Sequence, residues 1–303
     1  LLRSDSIHGD FPGTVSTDKN LQALIINGMT VFIISANKPE NIDYTTYGIN
    51  EALIIDNTGV FRDQDALKRH LKSKGAKKVL LTAPGKGIPN IVHGVNHLEY
   101  SPNTTDIFSA ASCTTNAITP ILKVIEDNCG IIHGHLETIH AYTNDQNLVD
   151  NMHSKYRRGR AAALNMVITE TGAGKAVSKA LPSLENRLTS NAIRVPVPNG
   201  SLAILNLQIK KSVTLNKINN LIKGAALSGN LVEQIKYELN NELVSSDIVG
   251  CTAPAIYDSK ATIVRSDGKN IIIYIWYDNE FGYSHQVIRL AKYIAKVRRF
   301  TYY

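Results

Sequence analysis

Apolar residues in the first third of the chain fall into short runs at 31–34, 52–55 and 79–82, each bounded by polar or glycine-containing stretches. Runs of this length, rich in Val, Ile and Leu, read as strands. The segment 63–74 between the last two carries helical spacing and stops near Gly75. Strands alternating with helices predict a parallel sheet. Two runs end in polar turns, Asp56-Asn57-Thr58-Gly59 and Thr82-Ala83-Pro84-Gly85-Lys86. In an open parallel sheet, ligands lie beyond the carboxyl ends of the strands, where these turns would fall. No Gly-x-Gly-x-x-Gly occurs in the chain. Either the domain does not bind a dinucleotide, or its first strand–helix unit lies outside the sequence.

From Cys113 onward the pattern changes. Residues 114–127 read as a helix with Pro120 inside it, a residue that lacks an N–H donor and can bend the axis. Residues 131–140 read as a strand, and 141–170 as a long, polar, basic loop of the kind that usually serves function. A helix is expected over 171–181, stopped by Pro182. In 202–209 one alternating set is wholly apolar and the other, Leu202, Ile204, Asn206 and Gln208, half so, which is read as a strand buried mostly on both faces. Helices are expected at 213–226 and 231–239. Segments 261–265 and 271–277 flank Ser266-Asp267-Gly268-Lys269, a hairpin signal. The final helix places Val287, Leu290, Ala291, Ile294 and Val297 on one face, with Ser284 as its expected cap. Lys292, Lys296, Arg298 and Arg299 crowd its C-terminal half, where cations suit the helix dipole. Together these elements predict a second, mixed α+β domain.

Composition narrows the class. With 303 residues the chain is long enough for about two domains. Hydrophobic residues make up 43% and charged residues 19%, an ordinary globular balance. The longest apolar run, Ile271 to Tyr277, has seven residues, far short of the roughly 20 of a membrane helix. Nothing at the start reads as a secretory leader. A net charge of +7 suits anionic partners, but the excess is dispersed and matches no nucleic-acid-binding motif. Three cysteines, Cys113, Cys129 and Cys251, are too few for a disulfide framework and point to a reducing compartment, the cytoplasm. No spacing suggests a metal site.

Ser112-Cys113-Thr114-Thr115-Asn116 stands at the start of an apolar helix. A thiol there meets the positive end of the dipole and aligned N–H groups, which favour a thiolate and could hold an oxyanion. The ordinary role of a cysteine is a small buried hydrophobe, and Cys129 and Cys251, without this setting, are read so. A sulfur nucleophile needs a base. His140 ends a predicted strand and can point into a cleft, while His133 and His135 are mid-strand and read as structural. Spacing alone leaves His140 undecided between the two roles. Thr143, Asp145, Arg158, Thr171, Gly172 and Arg194 supply the groups that phosphate sites use. For any single arginine, however, a surface ion pair is the ordinary role.

Taken together, the cysteine pentapeptide, Thr138-Ile139-His140, Tyr142-Thr143-Asn144-Asp145-Gln146, Arg157 to Ala163, Thr171-Gly172-Ala173, Arg194 to Asn199 and Trp276 to Glu280 with Gly282-Tyr283-Ser284 resemble the phosphorylating glyceraldehyde-3-phosphate dehydrogenase family in order. Asp5-Ser6-Ile7-His8-Gly9 matches an early family stretch as well, so the likeness covers essentially the whole chain. It implies an α/β fold: a Rossmann-type doubly wound parallel sheet over 1–112 lacking its first strands, a catalytic α+β domain over 113–279, and a C-terminal helix over 280–303 that packs back on the first domain.

The resemblance also implies roles. Cys113 would attack the aldehyde and His140 would take the proton. Hydride would pass to NAD or NADP, and inorganic phosphate would release the thioester as an acyl phosphate. Thr143, Asp145 and Arg194 would hold the substrate's own phosphate, and Ser112, Thr114, Arg158, Thr171 and Gly172 the attacking one. Asn279 and Tyr283 would meet the nicotinamide, and Thr58, Gly59 and Thr82 would line the cofactor. Glyceraldehyde 3-phosphate and inorganic phosphate are the implied small-molecule partners, and a homotetramer the implied assembly. Nucleic acid enters only as a secondary role reported for the family, and no membrane is implied. Erythrose-4-phosphate dehydrogenase, which shares the cysteine and histidine, is the related alternative. The family's glycine fingerprint and its acidic ribose partner would precede Leu1. Asn151-Met152 stands where strictly NAD-using relatives carry Leu-Pro, so NAD over NADP is a preference. The basic, aromatic ending 296–303 has no implied role.

Overall fold

The computed structural model describes residues 2–297, so the basic residues Arg298 and Arg299 and the aromatic ending lie outside the described residues. A short hairpin, β1 (Ser4–Asp5) and β2 (Gly9–Asp10), is followed by an antiparallel three-stranded ribbon of β3 (Val15–Asp18), β4 (Ala23–Ile26) and β5 (Met29–Phe32). The run at 31–34 thus belongs to this ribbon and not to the parallel sheet. Its apolar side chains are half-open: Met29 is 73% exposed.

The parallel sheet is formed by β6 (Ala52–Asp56), β7 (Ala76–Leu81) and β8 (Ile107–Ser109), in that order. Between β6 and β7 the expected long helix is reduced to α1 (Gln64–Leu67) and a 3-10 turn at His70–Lys72. Asp63 caps α1 by accepting the N–H of Ala66, but after Leu67 the chain tightens into i to i+3 bonds. Arg69 is drawn onto Glu40 and His70 onto the buried Asp56, contacts an unbroken helix would not satisfy.

α2 (Cys113–Cys129) runs through Pro120 without interruption and stops at Gly130, whose φ of +69° suits glycine. β9 (Ile131–Ala141), β10 (Val167–Thr169), α3 (Ala173–Ala180), β11 (Leu188–Val195) and β12 (Ser201–Ile209) follow. Then come α4 (Leu215–Leu227), β13 (Ile235–Glu238), β14 (Ala255–Asp258), β15 (Ile263–Val264), β16 (Asn270–Tyr277) and α5 (Phe281–Ile294). The eight strands form one mixed sheet, ordered β10-β11-β9-β12-β16-β14-β13, with β15 on β16. Its covered face meets α2, α3 and α4: Leu205, Leu207, Ile271 and Ile273 pack with Ile118, Leu122, Val177 and Ile222, all fully buried. Strand β12 is closed on this face only; Leu202 and Ile204 opposite are half-buried and Asn206 is exposed, so burial on both faces is not found.

Two other expectations change. Residues 231–239 form a turn and the strand β13, because Ile235 to Glu238 pair in parallel with Ala255 to Asp258. Ser284 does not cap α5; its N–H bonds the Glu280 carbonyl inside the helix. The cap-like acceptor is Asp278, whose carboxylate takes the N–H groups of Glu280 and Phe281 at 2.9 and 2.8 Å. Helix α5 seats Val287, Leu290 and Ile294 on Leu80, Ile91 and Phe108 of the parallel-sheet unit. Among the described residues, no helix is long and apolar enough to cross a membrane.

Asp278 is fully buried and also accepts from Asn199 Nδ2 and from the N–H of Gly250, with His8 at 3.3 Å. Burial by itself would raise its carboxyl pKa, but these donors more than offset it and hold the group below its ordinary range. The unfolded chain therefore binds the proton more tightly. The stability this group contributes is complete above the ordinary carboxylate pKa of about 3.9 and is lost as pH falls through the lower folded value. Asp278→Asn is expected to cost roughly 2–3 kcal/mol near neutral pH, with the gap closing in acid. Urea unfolding of both proteins between about pH 3 and pH 8 checks this; a gap independent of pH would refute it.

Candidate active site

The cysteine corner is built by the chain between β8 and α2. Ala111, just before it, has a φ of +56°, a conformation that costs a non-glycine residue about 1–3 kcal/mol. Three contacts hold it. The Tyr283 hydroxyl donates to the Ala111 carbonyl at 2.9 Å, the Ala111 N–H donates to Ser109 Oγ at 3.0 Å, and Asn116 Nδ2 donates to the Ala110 carbonyl at 2.8 Å. Ser112 then caps α2, its Oγ accepting the Thr115 N–H at 3.1 Å. Cys113 is thereby the first residue of a helix of 17 residues.

His140 reaches the same point from the end of β9. Its Nε2 lies 3.6 Å from Cys113 Sγ, while Nδ1 sits 2.7 Å from the Ala141 carbonyl. Where Nδ1–H is donated to that carbonyl, the Nε2 lone pair faces the sulfur; where Nδ1 instead accepts from Arg194 Nη1, the ring proton sits on Nε2 and faces it. Arg194, on β11, stands in register beside His140 because the two strands pair in parallel. Its Nη1 donates to the same carbonyl at 2.8 Å and lies 2.7 Å from His140 Nδ1. Tyr277 completes the support: its hydroxyl is 3.0 Å from Thr114 Oγ1 and its ring meets that of His140 edge-on.

The surroundings do not by themselves favour an ionised sulfur. Burial pushes the Cys113 thiol up, against the opposing pull of Thr114 and Arg194. Burial, reinforced by the Arg194 guanidinium, pushes His140 down to about 4. Burial thus opposes the charged form of each group, while the 3.6 Å contact lets a proton pass between them when the sulfur attacks.

Sulfur and ring open onto a cavity of about 220 Å³. Ser112, Thr114, Thr171, Gly172 and Arg194 share its walls, as the sequence led one to expect. Thr143, Asp145 and Arg158 do not line it. Asp145 is taken up in an ion pair with Arg158, and Arg158 turns its Nε to Thr169 Oγ1 at 3.0 Å. Arg194 keeps an unspent donor, since its buried Nε has no partner among the described residues. Sequence reasoning missed Thr138 and Glu170, which also line the cavity. Glu170 directly precedes Thr171 and brings an exposed acidic residue to the rim of this wall; its neighbours in sequence were the available signal. Arg194 was singled out by its type, but its contact with His140 depends on a strand that the sequence pattern did not announce.

The cofactor-type residues lie at strand ends. Thr58 and Thr82 both bond Asp56, the last residue of β6: the Thr58 hydroxyl to its carboxylate at 2.8 Å, the Thr82 hydroxyl to its carbonyl at 3.1 Å. Gly59, at φ +75°, turns the chain there. Asn279 is buried with Oδ1 fixed by the Gly200 N–H and the Ser201 hydroxyl, and its Nδ2 has no partner among the described residues. Such a free amide donor fits a carboxamide oxygen, and Pro84, two residues beyond Thr82, lines the cysteine cavity. The donor set therefore fits a nicotinamide group. Tyr283 has already spent its hydroxyl proton on Ala111.

Comparison with known proteins gives matches along the chain. The model described as glyceraldehyde 3-phosphate dehydrogenase, C-terminal domain, matches residues 112–279, and the corresponding NAD binding domain matches residues 1–64. A glyceraldehyde-3-phosphate dehydrogenase-like protein of Pseudomonas aeruginosa is 51% identical over 298 residues, 98% of this chain and 64% of that protein. Glyceraldehyde-3-phosphate dehydrogenase 2 of Synechocystis is 42% identical over 299 residues, covering 98% of this chain and 86% of the relative. Glyceraldehyde-3-phosphate dehydrogenase of Geobacillus stearothermophilus is 40% identical over 296 residues, with 97% of this chain and 86% of the relative covered. The chain thus spans just under two thirds of the Pseudomonas relative.

Proposed function

The chain belongs to the glyceraldehyde-3-phosphate dehydrogenase family, and from this premise we propose that it carries out the glycolytic, phosphorylating oxidation of glyceraldehyde 3-phosphate to 1,3-bisphosphoglycerate. The observation that carries the proposal is Cys113 Sγ at 3.6 Å from His140 Nε2 on the wall of a cavity that also holds Arg194, Thr171 and Gly172.

In this reading Sγ attacks the aldehyde carbon while Nε2 of His140 takes the thiol proton, and the Ala141 carbonyl stabilises the imidazolium through Nδ1–H. N–H groups at the start of α2 receive the developing oxyanion. Bound NAD, or NADP, supplies the hydride acceptor, with Asn279 Nδ2 toward its carboxamide and Thr58, Gly59 and Thr82 along it. Arg194 binds the substrate's phosphate, and Ser112, Thr114, Thr171 and Gly172 receive the inorganic phosphate that releases the acyl group. Thr143, Asp145 and Arg158 act behind this wall, the ion pair orienting the 169–171 segment. Assembly as a homotetramer is supported by the 141–170 segment, where Leu148, Met152, Tyr156, Leu164 and Met166 are each at least 77% exposed. We place the enzyme in the cytoplasm on its three free cysteines.

Glu170 favours a second reading, in which water releases the acyl group, as in erythrose-4-phosphate dehydrogenase. A carboxylate on this wall would oppose a phosphate dianion in the same cavity. Initial rates of reduced-cofactor formation with and without inorganic phosphate test the two. The phosphorylating reading expects a rise of about tenfold or more with phosphate; a phosphate-independent rate would replace it with hydrolysis. Glu170→Gln is expected to lower the KM for inorganic phosphate by roughly three- to tenfold with kcat little changed. An unchanged KM would show that the carboxylate faces away from the phosphate.

A further inference from the structure

Along the outer side of α5 lies a second cavity of about 650 Å³, well apart in its lining from the cysteine site. Arg289, Lys292 and Lys296 face it from α5 and the turn after it, against a single carboxylate, Glu233. That carboxylate is already engaged by Arg289 at 3.4 Å. Lys292 has no partner among the described residues, and Lys296 touches only the neutral amide of Asn103. The local balance is therefore positive.

Two histidines, His93 and His285, line this cavity. His93 Nδ1 lies 3.3 Å from the amide nitrogen of Gln234; with Nδ1 accepting from that amide, the ring proton is on Nε2, which has no protein acceptor among the described residues. Gln234 is fully buried and its Oε1 is unpartnered. The ring of His97 lies tilted against that of His93, centroids 4.2 Å apart, with its Nδ1 accepting the Gly94 N–H at 3.0 Å. Burial, with His97 and Arg289 nearby, pushes His93 down to about 4, and His285 is likewise lowered by burial, Arg289 and Lys292. Neutral N–H donors beside two ammonium groups are the chemistry of an oxyanion site. Ile288 and Tyr293 supply an apolar wall next to them.

We propose that this cavity binds a small organic phosphate of nucleotide size, its phosphate held by Lys292, Lys296 and the Nε2–H of His93 and its remainder laid against Ile288 and Tyr293. Pockets for ligands of that size span about 300–1,000 Å³.

The test titrates ADP into the protein with nitrogen-labelled histidine and follows the imidazole signals, assigned with His93→Gln and His285→Gln. Saturable shifts of His93 and His285 are expected, retained in Arg194→Ala and weakened about tenfold or more in Lys292→Glu. Inorganic phosphate should move the same signals with at least about tenfold lower affinity, because it lacks the apolar part. ADP held elsewhere, at Thr58 and Thr82 for example, would leave both signals still. Unmoved signals, an undiminished affinity in Lys292→Glu, or phosphate binding as tightly as ADP would each overturn the proposal.

Discussion

Replacing Cys113 with alanine is expected to lower kcat for aldehyde oxidation by about 10⁴-fold or more, with the fold intact. No other sulfur can take over. Cys129 ends the same helix of 17 residues, and a rise of 1.5 Å per residue sets it about 24 Å away. Cys251 lies near Gly250 and Asp278, outside the cavity. Alanine suits the first turn of a helix and leaves the Ser112 cap in place, so thermal unfolding should move little. Cys113→Ser keeps the volume and a donor but loses the sulfur nucleophile, and should be nearly as inactive. In a Cys113→Ala background, adding His140→Asn should cost almost nothing more, since a base without a nucleophile has no proton to take. Parallel melting curves and turnover assays decide the matter. Substantial turnover in Cys113→Ala would remove the nucleophile, and the proposed reaction with it.

Part of this site was legible in the sequence for a local reason. A serine followed by an apolar helical pattern marks a cap, and the cap alone sets Cys113 at the helix start. The strand to His140 was legible too, because Ile131, Ile132, Leu136, Thr138 and Ile139 give β9 a β-type character that Gly134 does not cancel. Beyond those, non-local pairing decided. Leu188–Val195 reads as a mixture of polar and apolar residues with no strand signal of its own, yet its parallel register with β9 brings Arg194 to His140. Residues 231–239 have helical spacing, but the edge offered by β14 claims four of them as a strand. The strained corner at Ala111 depends on Tyr283, which is 172 positions away in the chain. Asp145 and Arg158 were read as separate phosphate ligands, whereas folding pairs them with each other. Family likeness carries residue identities across such gaps, and the matches at 1–64 and 112–279 agree with it; it does not say which side chain spends its hydrogen bonds on which neighbour.

Arg194 therefore has two proposed duties, and they separate in a single experiment. The guanidinium is half-buried, lies beside His140 Nδ1 at 2.7 Å, and has a buried, unpartnered Nε. Its first duty is to bind the substrate's phosphate, where loss of a charge-assisted pair costs about 1.5–3 kcal/mol, or roughly 10- to 150-fold in KM. Its second is to share the Ala141 carbonyl and so fix the plane of the imidazole, an effect on kcat of about tenfold when a base loses its alignment. Arg194→Ala should accordingly raise KM and lower kcat for glyceraldehyde 3-phosphate, and for unphosphorylated glyceraldehyde lower kcat alone. Arg194→Lys should recover part of the KM, since an ammonium still attracts phosphate, but little of the kcat, since it lacks the planar fork that reaches the carbonyl. An equal rise in KM for both aldehydes would refute the phosphate duty, and an unchanged kcat for glyceraldehyde would refute the positioning one.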